Sequence, residues 1–352
     1  MRSLLPVTIL CLSFGVSAPP ARSADAEALK SAADARLAEA SPVVIGEQGW
    51  LYLPAELRHL AVGDFWGDAA AAASRATRPD AADPLPVILD FHRQLAEAGV
   101  TLLLVPVPPK VLIYPEGLGV AFPEDEPPPR WDPSHQAFYA LLREQGVNVL
   151  DLTPLFLAER DGEGGALYCR QDTHWSGRAT YLAARAIVAA LAEAGVELPE
   201  PEAGVPFHAR ERVVEITGDL WRMLPEGVER PKRETVSLRF VGTGDPENPR
   251  PIEPDPASPV LLLGDSHNLV FHGGGDLLAA GAGLPDQLAG LLGRPVDLIA
   301  VRGSGATPAR INLMRRVRGN PAYLAEKRVV VWCFTAREFT ETRGWRPVPI
   351  GP

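Results

Sequence analysis

Sulfur is scarce in this sequence. Of 352 residues, 3 are Cys and 3 are Met. That excludes a disulfide-built scaffold and leaves no cysteine cluster for a structural zinc. Positive charge is also in short supply: 34 Lys and Arg stand against 44 Asp and Glu, a formal net charge of −10. A chain so balanced lacks the basic face that binds nucleic-acid phosphates, so no nucleic-acid partner is expected. Apolar runs stop short of the roughly 18 residues that suggest a membrane span. No internal repeat occurs. His, Cys and Asp nowhere cluster at metal-ligand spacing, so no metal is expected. No nucleotide-binding motif is present, and no cofactor is expected.

What the chain has is the composition of a globular domain. Hydrophobic residues make up 46% and charged residues 22%, too apolar for a disordered chain, and the length allows a sizeable core. The 36 Pro and 32 Gly predict many turns and long ordered loops. The first residues read as a secretory signal peptide: Arg2, then the apolar stretch Leu4 to Val16, then Ala21-Arg22-Ser23 before a cut at Ala24. Residues 1–23 are therefore expected to leave, and 24–352 to form one exported domain. Losing Arg2 and Arg22 takes the charge from −10 to −12. Cys11 lacks the small preceding residue of a lipoprotein site and goes with the leader. Cys169 and Cys333 remain in an oxidising compartment, either joined as one disulfide or kept as two buried thiols.

The mature chain alternates helix and strand patterns. Helices are predicted at Ala24–Ala40, Pro84–Ala98, Ser134–Arg143 with Ser134 as cap, Ser176–Ala194 with Ser176 as cap, Asp286–Leu292 and Pro308–Arg318. Strands are predicted at Trp50–Leu53, Val100–Val107, Val147–Leu150, Pro259–Leu263, Val296–Val301 and Arg328–Phe334. Several of these are continuous apolar runs, as in strands buried on both faces of a parallel sheet. The class is α/β: a mostly parallel sheet with helices on both sides. Residues 199–257 break the rhythm and read as an inserted, partly β segment.

Two short motifs carry chemistry. In Leu263-Gly264-Asp265-Ser266-His267 a buried strand runs into a turn, the place where open α/β sheets display reactive groups. Ser266 there is a candidate nucleophile; the alternative is an Asp-Ser helix cap. Asn268 stands where a Gly-x-Ser-x-Gly elbow would have its second glycine. In Gln171-Asp172-Thr173-His174-Trp175-Ser176, Asp172 is placed to orient the imidazole of His174, a candidate base. The alternative for His174 is a packed loop histidine. Trp175 either walls the site, stacks on a sugar ring, or belongs to the core. The Ser266 amide and Gly303, in Val301-Arg302-Gly303-Ser304-Gly305, are candidate oxyanion donors, Gly303 otherwise being a plain turn glycine.

At these residues a family becomes recognisable. Gly264-Asp265-Ser266 resembles the nucleophile block of SGNH (GDSL-like) hydrolases. Asp172-Thr173-His174-Trp175 closely resembles the signature of the alginate O-acetyltransferases of the AlgJ and AlgX type. The His and Asp precede the Ser here, the order of that type, whose domain looks circularly permuted. Gly49-Trp50-Leu51-Tyr52-Leu53, Pro106-Val107-Pro108-Pro109-Lys110, Gly218-Asp219-Leu220 and Val330-Val331-Trp332 fit as well. The resemblance spans about Val43 to Thr342 and implies an SGNH-like three-layer fold. Two positions depart from it: His267 after the serine, and Cys333 where an acid usually follows the Trp.

The resemblance implies a periplasmic enzyme that acetylates hydroxyls of an exopolysaccharide through an acetyl-serine, with Ser266 as nucleophile, His174 as base and Asp172 as its partner. The donor implied is a membrane O-acyltransferase or an acetylated partner protein, not acetyl-CoA, and the protein is expected at the periphery of an inner-membrane export complex. Too little chain follows the catalytic region for a C-terminal carbohydrate-binding module. The domain itself is therefore expected to grip the polymer, with Trp175, Arg58 and Arg337 as candidates. Arg302, Arg310, Arg315 and Arg316 would extend a basic groove or else be solvated surface charge, and Arg58-His59 would face the cleft. Two other readings stay open: an acetyl-esterase with the same triad, and a non-catalytic polysaccharide-binding subunit.

Overall fold

The apolar runs become the middle of a sheet. The computed structural model describes residues 23–123, 127–201 and 206–351; apart from Ser23, the expected leader lies outside them. In chain order the strands are β1 (Val44–Ile45), β2 (Leu51–Tyr52), β3 (Thr101–Val107), β4 (Asn148–Val149), β5 (Phe207–Ile216), β6 (Glu234–Thr243), β7 (Val260–Gly264), β8 (Asp297–Ala300) and β9 (Val329–Thr335). Five of them form one sheet in the order β4-β3-β9-β7-β8, and every pairing in it is parallel.

Successive side chains on a strand point to opposite faces, and both faces here are apolar. On β3, Leu103, Val105 and Val107 go one way with Val260, Leu262, Val329 and Val331 of the neighbouring strands. Leu102 and Leu104 go the other way with Leu261, Leu263, Val330, Trp332 and Phe334. Helix Gly177–Glu193 covers the first face with Ala179, Ala183 and Ile187, joined by Leu284 and Leu288 of helix Leu284–Leu292. Helices Leu85–Glu97, Pro133–Glu144 and Thr307–Gly319 cover the second with Ile88, Phe91, Phe138 and Leu313. Each fully buried Leu or Val contributes about 1.5–3 kcal/mol, so the three layers hold one another. The α/β expectation is met.

Predicted elements agree with observed ones to within a few residues, and Ser176 caps its helix, accepting from the Ala179 N–H at 3.4 Å. Ser134 is a correction. Helix Pro133–Glu144 starts one residue earlier, after Asp132, and the Ser134 hydroxyl donates to Asp64 Oδ1 at 2.8 Å instead. The segment expected to be an insert is a long antiparallel ribbon, paired from Phe207 opposite Thr243 to Ile216 opposite Glu234. Its Val236 and Leu238 join the core beneath it, and Gln287 Nε2 donates to the Arg239 carbonyl at 2.6 Å. Between its strands sits the short helix Asp219–Met223, which reaches back to the site.

Candidate active site

Strand β7 ends where only glycine fits. A Cβ on Gly264 would overlap the carbonyl oxygen of Cys333 on β9 and the side-chain nitrogen of Asn268. Asp265 then ties the turn down. Its Oδ1 accepts from the His267 N–H at 2.9 Å, and its Oδ2 accepts from the Thr335 N–H at 2.8 Å. Burial pushes Asp265 up, but the His267 ring and these N–H donors outweigh burial and hold its pKa down to about 2. Asn268 Nδ2 donates to the Cys333 carbonyl at 2.7 Å. Ser266 emerges half-buried at the carboxyl end of the sheet, and its N–H donates to nothing among the described residues.

The candidate base comes from a stretch with neither helix nor strand. An isolated bridge joins Tyr168 to Trp175, and the Cys169 N–H donates to the His174 carbonyl at 3.2 Å. This fold-back turns Asp172 and His174 inward. Asp172 Oδ1 accepts from the His174 N–H at 3.0 Å and lies 2.6 Å from His174 Nδ1. His174 Nε2 lies 2.8 Å from Ser266 Oγ. With Nδ1–H donated to Asp172, Nε2 is left to accept the serine proton. Burial opposes charge on both groups. Their mutual attraction outweighs it, so Asp172 is held below the usual carboxylate range and His174 is raised above its ordinary value. The structure thus brings together the three residues that sequence reasoning singled out, from positions as far apart as 172 and 266.

Two supports of this loop had no role in the sequence reading. Asp219 donates its N–H to Asp172 Oδ2 at 2.7 Å. Its carboxylate accepts from the Thr173 N–H at 2.7 Å and the Thr173 hydroxyl at 2.6 Å. Burial and the nearby Asp172 charge raise its pKa. Lys110 is fully buried at the carboxyl end of β3. Its Nζ donates to the carbonyl oxygens of Cys169 at 3.1 Å, Arg170 at 3.4 Å and Asp172 at 2.8 Å, which matches the three N–H bonds of an ammonium. Glu56, 1% exposed, accepts from Arg337 Nη1 at 3.1 Å. Asp172, His174 and Asp219 present ligand-type atoms within 4.8 Å of one another. Their carboxylate oxygens already accept from N–H and O–H groups of the loop, and His174 Nε2 is engaged with Ser266. The chemistry here is hydrogen bonding.

Other expected contacts fall elsewhere. Trp175 is 0% exposed, so no sugar stacks on it; its Nε1 donates to the His267 carbonyl at 3.1 Å. His267 packs edge-on against that indole at 5.4 Å and lies 4.8 Å from the His174 ring. Burial lowers its pKa to about 4, so the unusual residue after the nucleophile is a neutral packing imidazole. Cys169 and Cys333 are free, buried thiols. Cys169 Sγ points to the Trp175 carbonyl at 3.6 Å and Cys333 lies in the core beneath the sheet, so no disulfide links them. Arg58 is paired with Glu341 at 2.6 Å, and His59 is 2% exposed with its Nε2 2.7 Å from His135 Nε2. Arg337 bonds Glu56 and the Thr335 hydroxyl. Arg302 pairs with Asp276 and Arg316 with Asp297. Arg310 is enclosed by the rings of Phe91, Trp332 and Trp345. Arg315 donates to the neutral Asn312. The arginines therefore form no free cationic groove. Gly303 sits exposed in the turn after β8, and Gly305 is the residue pressed on the nucleophile turn: a Cβ there would lie 2.7 Å from the Asp265 nitrogen.

Comparison with known proteins bears on this geometry. The family described as SGNH hydrolase-like domain, acetyltransferase AlgX, matches residues 43–336. The probable alginate O-acetylase AlgJ of Pseudomonas syringae pv. tomato is 30% identical over 161 residues, 46% of this chain and 36% of that protein. Its counterpart from Pseudomonas aeruginosa is 30% identical over 134 residues, 38% of this chain and 29% of that protein. The matched stretches thus span about a third of these curated relatives' length. In fold the chain is similar to the O-acetyltransferase domain of Pseudomonas putida AlgJ, with a TM-score of 0.61, 23% identity and coverage of 84% of this chain and 91% of that one. It is also similar to Pseudomonas aeruginosa AlgX, with a TM-score of 0.57, 18% identity and coverage of 84% and 62%.

Proposed function

The chain belongs to the family of SGNH hydrolase-like AlgX acetyltransferase domains, and from that premise we propose that it is an exported O-acetyltransferase acting on hydroxyls of a polysaccharide. The observation that carries the proposal is the hydrogen-bonded run from Asp172 through His174 to Ser266, at 2.6 and 2.8 Å. The relatives named alginate O-acetylases support acetyl as the group and a polysaccharide as the acceptor. The leader read at residues 1–23 supports a periplasmic location. No helix among the described residues is long and apolar enough to cross a membrane, which fits a protein peripheral to an export complex. The acetyl donor is a membrane acyltransferase or an acetylated partner.

Transfer runs in two half-reactions. Ser266 Oγ attacks the donor's acetyl carbon as its proton passes to His174 Nε2. Asp172 stabilises the imidazolium so formed. Negative charge builds on the former carbonyl oxygen and is met by the Ser266 N–H, with the Gly303 N–H as the second donor. The bond to the leaving group breaks, and His174 returns the proton to it, leaving acetyl-Ser266. A sugar hydroxyl then gives its proton to His174 and attacks the acetyl carbon. Ser266 leaves, takes the proton back, and the acetylated sugar departs.

The test is direct. Purified protein is incubated with an acetyl ester and a deacetylated oligosaccharide, and sugar acetylation is read by mass. Acetylated sugar that disappears with Ser266→Ala is the expected result. Free acetate without acetylated sugar makes the protein an esterase. Full polymer acetylation in cells carrying Ser266→Ala makes it a non-catalytic subunit.

A further inference from the structure

The loop after β8 touches the nucleophile turn from the far side. The Val301 N–H donates to the Gly264 carbonyl at 2.9 Å, Gly305 presses on Asp265, and Trp332 Nε1 donates to the Gly305 carbonyl at 2.8 Å. One ionisable side chain reaches between these points. Glu338 lies just past β9 and is 4% exposed. It accepts from the Ser304 hydroxyl at 2.6 Å. The Thr342 hydroxyl stands 3.5 Å from that of Ser304. Burying a carboxylate is costly unless its oxygens are bonded, and here the Ser304 bond goes to the loop that carries Gly303.

We propose that Glu338 is a positioning residue for acetyl transfer: by accepting from Ser304 it keeps the loop 302–306, which carries Gly303 and presses Gly305 on Asp265, in place against the nucleophile turn. The proposal rests on the reading of Ser266 as nucleophile. The groups that face Glu338 set its ionisation. Burial and the Asp265 charge push it up; the Ser304 hydroxyl, Arg337 and the nearby Ala306 amide pull it down; the result stands at about 7. Ionised, Oε2 accepts from the Ser304 hydroxyl. Protonated, one oxygen becomes a donor and the loop loses part of its anchor. Turnover therefore falls as pH drops through neutrality, in addition to the fall caused by protonation of His174, which must be neutral to act as base.

The experiment compares the native protein with Glu338→Gln, Ser304→Ala and Ser266→Ala, using 4-nitrophenyl acetate from acid to alkaline pH. Glu338→Gln is expected to lower kcat on the order of tenfold to a hundredfold even at alkaline pH, because a misplaced catalytic group costs that much. KM should stay within about twofold, since the effect is on the transition state. Its acid limb should keep the His174 ionisation and lose the second one. Ser304→Ala retains the carboxylate and should lower kcat in the same direction with KM unchanged. Should Glu338→Gln fail to fold, Ser304→Ala decides by itself. Native kcat in Ser304→Ala, or a native acid limb in folded Glu338→Gln, overturns this inference while an inert Ser266→Ala leaves the nucleophile standing. Turnover that survives in Ser266→Ala overturns both.

Discussion

The two halves of the site are held by different means. The nucleophile turn, 264–268, is fixed by backbone geometry: a strand end, a glycine that admits the neighbouring carbonyl, and a capping carboxylate bonded to the end of β9. The base loop, 168–176, has one isolated bridge and depends on side chains from far along the chain, Lys110 and Asp219. Links of the first kind lie within the turn itself or run to the end of β9, in the sheet that already forms the core. Links of the second kind place buried charges where each needs its partners. Precision at Ser266 thus comes with the fold, while precision at His174 has to be assembled separately and is the more fragile of the two.

The largest effect should come from breaking the second kind. Lys110→Met keeps the length of the side chain and removes the ammonium. Three carbonyl oxygens lose their donor. Glu56 keeps Arg337 as its cation but loses the charge of Lys110, and its Oε2 is already buried without a partner. Leaving a buried acceptor without its donor costs about 1–3 kcal/mol each. The denaturation midpoint should fall accordingly, and ester turnover by the protein that remains folded should drop with it. Native stability in this variant would mean that the base loop is self-supporting, and the contrast would fail.

Gly264→Ala attacks the first kind. Its Cβ meets backbone, the Cys333 carbonyl, at the end of the β7–β9 register, so no side-chain rotation can relieve it. Overpacking of this sort costs about 1–3 kcal/mol, less than the loss of Lys110. Turnover should suffer more than stability, because the displaced residues are those next to Ser266. Acylation of Ser266, followed by mass on mixing with an acetyl ester, measures that displacement directly.

The same division explains what could be read from the sequence. Strand runs such as Val100–Val107 and Arg328–Phe334 are apolar on both faces, and the motif that follows a buried strand announces its place at the sheet edge. Asp172 and His174 are two residues apart, so their pairing is local and legible. Lys110 and Asp219 lie inside stretches that stood out, Pro106–Lys110 and Gly218–Leu220, but their partners are 62 and 47 residues away. Spacing along a chain says nothing about such loop-to-loop contacts. The available signal was a lysine directly after a buried strand and an acid opening a short helix. Trp175 was open to three readings because an indole beside a catalytic histidine has the same letters whether it faces solvent or core. The arginines were similarly ambiguous, since their carboxylate partners, Glu341, Asp276 and Asp297, come from other elements.

Trp175 offers the mildest and most specific way to sharpen the contrast. Besides the bond from His174 to Ser266, its Nε1 contact with the His267 carbonyl is the hydrogen bond that joins the two segments among the described residues. Trp175→Phe keeps an aromatic ring against His267 and deletes that bond. The bond accounts for about 1 kcal/mol, and the smaller ring adds somewhat to the loss. Neither Lys110 nor Asp265 is touched, so each segment keeps its own support. If alignment of His174 on Ser266 needs the cross-link, kcat should fall several-fold while the midpoint of denaturation moves only slightly. If the two supports are enough, kcat should follow stability and stay near native at temperatures where the protein is fully folded. A stopped assay with an acetyl ester, run well below the melting temperature, separates these outcomes. It thereby tells whether base and nucleophile are registered to each other or each to the sheet.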